Sequence, residues 1–88
     1  MNNMIEKVVN EVKKLNNYGD TVGIQLTHNF GFVIEVEEYE DGLEYFIEPN
    51  TIDEDCCFEP IGDNCGVPFG DFTELRIVIQ NYLNKVNI

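Results

Sequence analysis

The sequence predicts an α+β domain: a three-stranded antiparallel meander packed against an N-terminal and a C-terminal helix, in the order α-β-β-β-α. Two observations carry this. Apolar residues recur at three- and four-residue spacing at both ends of the chain, whereas between them they alternate with polar residues in stretches separated by turn-forming pairs.

At the N-terminal end, Met4, Ile5, Val8, Val9, Val12 and Leu15 fall on one helical face, with Glu6, Lys7, Glu11, Lys13 and Lys14 mostly between them. This predicts an amphipathic helix over about 3–16, stopped by the turn-prone run from Asn16 to Asp20. Thr21 to Thr27 then alternates, with Val22, Ile24 and Leu26 on one side, as a half-buried strand does. After a turn at His28-Asn29, Phe32, Ile34 and Val36 alternate with Val33, Glu35 and Glu37, and the Asp41-Gly42 pair leads into Leu43, Tyr45 and Ile47. That is the signature of a hairpin. Three strands with short connections form a meander whose apolar face needs a cover, which the helices supply.

The 23 residues from Pro49 to Asp71 are punctuated by Pro60, Pro68, Gly62, Gly66 and Gly70, with room for a short fourth strand around Cys56 to Glu59. From Phe72 on, Leu75, Val78, Ile79, Tyr82, Leu83 and Val86 return to helical spacing. Asp71 is placed as the cap and Glu74 as the acid of the first turn, so a second helix is expected over about 72–86.

A chain of 88 residues forms one domain, spanning 1–88, with one core. Its composition, 43% hydrophobic, predicts a folded object despite a net charge of −12. No run approaches the roughly 18 apolar residues of a membrane span, and the first residues lack a signal-peptide pattern, so the expected compartment is the cytoplasm. Three cysteines, Cys56, Cys57 and Cys65, are an odd number that argues for reduced thiols.

Charge is distributed unevenly. Lys7, Lys13, Lys14, Arg76 and Lys85 lie near the ends, while Leu15 to Leu75 contains fifteen Asp and Glu and neither Lys nor Arg. A surface potential of this sign repels nucleic acid and attracts basic partners. Direct nucleic-acid binding is therefore not expected.

The hairpin concentrates these acids. If Asp41-Gly42 forms a two-residue turn, Glu40 pairs with Leu43, Val36 faces Ile47 and Glu35 faces Glu48; with a four-residue loop, Glu37 faces Glu44 instead. In either register carboxylates oppose each other across strands, at a cost of a few tenths to about 1 kcal/mol. The outer face then carries Glu35, Glu37, Glu44 and Glu48 with Val33, Tyr39 and Phe46 among them, a mixture suited to protein recognition, though also compatible with a merely solvated face. Glu40 and Asp41 extend it, and Asp53, Glu54 and Asp55 form a second acidic cluster.

The cysteines with His28 supply the ligand types of a Cys3His zinc site, but adjacent cysteines point apart on an extended chain and no second ligand pair has the two-to-four-residue spacing. One or two buried thiols packing as small hydrophobes are the plainer expectation. Asp53-Glu54-Asp55 lacks the alternating ligands and mid-loop glycine of a calcium loop. No nucleophile elbow, phosphate-cradling loop or zinc-protease motif is present, so neither catalysis nor a cofactor is expected.

In size, acidity and element order the chain resembles the small phage-encoded anti-CRISPR proteins, some of which mimic DNA and occupy a basic channel of a Cas nuclease. The opening Met1-Asn2-Asn3-Met4 also looks like proteins of low-GC bacteria or their phages. The resemblance implies a monomeric or homodimeric inhibitor that binds a basic nucleic-acid-binding protein, with carboxylates in place of phosphates. The alternative expectation is a non-enzymatic structural or dimeric domain whose acidity serves solubility.

Overall fold

Both ends of the chain form helices and everything between them builds one sheet. The computed structural model describes residues 3–15, 17, 19–40, 42–61 and 66–86. The elements are α1 (Asn3–Val12), β1 (Thr21–Thr27), β2 (Phe30–Tyr39), β3 (Gly42–Ile52), β4 (Phe58–Pro60), β5 (Val67–Phe69) and α2 (Phe72–Lys85). The α+β class, two helices flanking an antiparallel sheet, is as the sequence predicts. The segment after Pro49, however, supplies two short strands, and α1 ends at Val12, with Lys13 and Lys14 already in a turn.

The meander β1-β2-β3 is antiparallel throughout, and β4 and β5 both pair with the far edge of β3. β5 takes Tyr45 to Ile47 and β4 takes Asn50 to Ile52. β3 therefore runs through Pro49, which the sequence assigns to a loop. Pro49 is tolerated because it lies in the gap between β4 and β5, where no strand demands its missing N–H; its carbonyl accepts the Ile61 N–H at 3.1 Å.

Alternation sorts the side chains. Phe30, Phe32, Ile34 and Val36 of β2 and Ile47 of β3 face the helices and are buried. Val8, Val9 and Val12 of α1 and Leu75, Ile79 and Leu83 of α2 meet Phe30, Phe32, Ile34 and Ile47 in one cluster with Ile24 and Phe69. Each such side chain contributes about 1.5–3 kcal/mol relative to exposure. Phe32 organises the aromatic part, its ring edge-on to Phe30 at 5.3 Å and 5.7 Å from Tyr82.

α2 starts where the sequence places it. The Asp71 side chain accepts the Glu74 N–H at 2.8 Å, and the Glu74 carboxylate reaches back to the Gly70 N–H at 2.9 Å, so two donors at the helix entrance are satisfied. The helices are tied together by Arg76, whose Nε and Nη2 donate to Glu6 at 3.0 and 3.3 Å. This bond dominates the pKa shifts of both partners, lowering that of Glu6 and raising that of Arg76.

Among the described residues, the opposite face of the sheet is covered only at one end. There Phe58 lies over Gly23 and Gly31, and Asn50 is buried with its Nδ2 donating to the Glu48 carbonyl at 3.3 Å.

Candidate functional site

The described residues leave the remainder of that outer face open, and the hairpin register decides what it displays. Glu37 faces Glu44 and Tyr39 pairs with Gly42, so Gly42 belongs to the ladder and Glu40 does not pair with Leu43. This corrects the expectation in two respects. Of the two expected registers the one with Glu37 facing Glu44 is formed, but its pairing continues to Tyr39 and Gly42, past the limit of a four-residue loop, and Glu35 lies opposite Phe46 and not Glu48. Ile47 is matched with Ile34, which keeps the two most buried aliphatic residues of the hairpin together; a shift of two residues would instead have paired it with Val36.

Across the open face the pairs run Val33 with Glu48, Glu35 with Phe46, and Glu37 with Glu44. Acids and apolar groups thus alternate along β3, while β2 places Glu35 and Glu37 in succession between Val33 and Tyr39, and one facing pair is of like charge. Pro68 of β5 continues the row beyond Phe46. The Tyr39 ring leans toward Phe46, 6.3 Å between centroids at 48°, while the residue remains 49% exposed. Glu40 is exposed in the turn, and Glu38, which the sequence reading passed over, is exposed beside it; Asp41 lies outside the described residues.

The carboxylates divide by what they do. Glu6 and Glu11 pair with Arg76 and Lys14. Asp71 and Glu74 cap α2. Asp53 holds its own turn, its Oδ1 accepting the N–H groups of Asp55 and Cys57 at 2.9 Å each. By contrast, among the described residues no hydrogen bond or ion pair engages the carboxylates of Glu35, Glu37, Glu38, Glu40, Glu44, Glu48, Glu54 or Asp55.

All five basic side chains sit on the two helices or the turn after α1, and each has local company. Lys7 donates to the Gln25 carbonyl at 2.7 Å, Lys13 lies 5.5 Å from the Phe72 ring centroid and Lys85 5.8 Å from that of Tyr82. Lys14 and Arg76 are in the ion pairs above. The molecule is therefore polarised: bases on the helical layer, unengaged acids on the sheet and its loops.

The second acidic cluster, Asp53 to Asp55, stands apart from the hairpin face in the turn between β3 and β4. Cys56 and Cys57 in this turn are exposed, so neither is one of the buried thiols expected. The Asp53 cap bends the chain outward, and Cys56 adopts a left-handed conformation with φ of 64°, so neither side chain turns to the core. Cys65 lies outside the described residues. Among those described, no three His, Cys, Asp or Glu side chains gather as metal ligands, and no helix is long and apolar enough to cross a membrane.

Sequence reasoning missed a groove beside the hairpin, formed by the turn after α1, β3, β5 and the start of α2. Its clearest sign is Phe72, in phase with the buried stripe of α2 yet 37% exposed, a fact that no periodicity can reveal.

No protein-family model, no curated protein and no solved structure matches the chain.

Proposed function

We propose that the chain is a stoichiometric, protein-binding inhibitor, encoded by a phage or mobile element and acting in the bacterial cytoplasm. Its target is a basic nucleic-acid-binding protein such as a Cas effector. The observation that carries this reading is the sheet face left open by the described residues, where Glu35, Glu37, Glu44 and Glu48, their carboxylates without a partner among those residues, are interspersed with Val33, Tyr39 and Phe46. Carboxylates there take the place of phosphates against Arg and Lys, and the aromatic rings supply the apolar contact that charge alone does not. Association is fast and salt-sensitive because exposed charges steer it.

The test is a low-salt pull-down from a lysate of Cas-bearing bacteria. The baits are the wild type and a variant combining Glu35→Gln, Glu37→Gln, Glu44→Gln and Glu48→Gln. The reading requires that the wild type retain a nucleic-acid enzyme that added DNA or RNA releases, and that the variant retain far less. Identical background on both baits would overturn it.

A second reading, a structural domain that dimerises, is favoured by the edge of β1. Val36 bonds through both its N–H and its carbonyl to the chain at Asp20 and Gly19, so alternate residues of β1, Val22 and Ile24, turn to β2. The backbone groups of Thr21 and Gly23 consequently point away from the sheet. Sedimentation equilibrium separates the readings, since a dimer of this acidic chain tightens with added salt whereas a complex with a basic partner weakens.

A further inference from the structure

Elements far apart in sequence meet beside the hairpin and leave a groove that the core does not fill. Its apolar part, about 360 Å³, is lined by Leu15 beyond α1, Tyr45 of β3, Phe69 of β5 and Phe72 at the first turn of α2. An adjoining part of about 520 Å³ shares Tyr45 and Phe69 and opens past Glu44 and Glu74.

The walls are held in place. The Tyr45 hydroxyl donates to the Leu15 carbonyl at 2.9 Å, its ring lies 5.9 Å from that of Phe69, and Glu74 is fixed by its bond to the Gly70 N–H. Two large apolar residues stay exposed at the rim, Phe72 at 37% and Leu43 at 42%. β5 pairs with β3 only as far as Tyr45, so the edge of β3 at Leu43 meets no strand among the described residues.

We propose that this groove seats one bulky apolar side chain from an extended, basic segment of the partner, with Lys or Arg neighbours of that side chain pairing with Glu44 and Glu74. This rests on the reading of the chain as a binder of a basic protein and adds the pattern that it selects. Charge sets the direction of the segment. In the apolar part Lys13, 5.5 Å from the Phe72 ring centroid, and the capping Asp71 offset each other, while Glu44 and Glu74 line the adjoining part with no base beside them among the described residues, so the cations leave toward the hairpin. A preformed apolar slot supplies affinity that exposed carboxylates do not, because burial removes apolar area from water while exposed ion pairs are screened.

The experiment is a nitrogen-15 NMR titration of the whole chain with two amidated, acetylated peptides, Lys-Arg-Phe-Arg-Lys and Lys-Arg-Ser-Arg-Lys. The expected result is about tenfold tighter binding of the Phe peptide. Its additional amide shifts should cluster at Leu15, Tyr45, Phe69 and Phe72. Phe72→Ser or Leu43→Ser should each reduce the preference for Phe, and the spectra themselves report whether these variants fold. Equal binding of the two peptides, with shifts confined to the hairpin face, would overturn the groove and leave the acidic-face reading standing. If neither peptide binds, both fall.

Discussion

Glu37 lies directly opposite Glu44 in the β2–β3 ladder, and among the described residues no Lys or Arg pairs with either. Like charges at facing positions of an antiparallel pair are destabilising. Three rungs away on the other face of the same ladder is a well-matched core pair, Ile34 with Ile47, which sets the register that forces it. Glu44→Lys should therefore raise stability by a few tenths to about 1 kcal/mol, measured by urea denaturation. The same substitution should weaken capture of a basic partner. A drop in stability would mean that the facing carboxylates are not in conflict.

Added sodium chloride should raise the melting temperature. The net charge of −12 resides mainly in carboxylates with no basic neighbour, whose mutual repulsion is screened as the Debye length falls to about 10 Å at 0.1 M salt. Scanning calorimetry across a salt series checks this, and a melting temperature that stayed flat or fell would contradict it.

Glu6 behaves in the opposite sense to the hairpin acids. Its hydrogen bond to Arg76 holds its pKa below the ordinary 4.5. A carboxyl whose folded pKa is depressed adds stability above its unfolded value and loses it as pH falls through the folded value. Glu6→Gln should thus lower the melting temperature at neutral pH, with the gap from wild type closing below pH 4.5. A gap that persisted unchanged in acid would show that the Arg76 bond is not its source.

Gly31 is required by close packing. A Cβ there would collide with the Ile24 carbonyl oxygen on β1 and come within 3.1 Å of the Phe58 ring. Since the obstacle is backbone of the paired strand, Gly31→Ala should cost about 1–3 kcal/mol. Gly42→Ala meets no atom within 4 Å, but its φ of +128° makes it strained for a different reason. Denaturation midpoints of the Gly31 variant within error of wild type would refute the packing argument.

The sequence by itself determined the α+β class, both helices, β1 to the residue, and the Asp71 cap, because each rests on short-range physics: a helical or alternating period, and a side chain that reaches a backbone N–H three residues on. It also determined the separation of bases from acids along the chain. Only the tertiary structure decided the hairpin register, where Ile34 meeting Ile47 outweighed the turn preference of Asp41-Gly42. Only it decided that Pro49 stays in β3, where the gap between β4 and β5 frees it from donating. The exposure of Cys56 and Cys57 follows from the Asp53 carboxylate, and the groove at Phe72 from elements more than fifty residues apart. Such features depend on which distant surfaces compete for the same buried volume, and that competition leaves no periodic trace in the order of the residues.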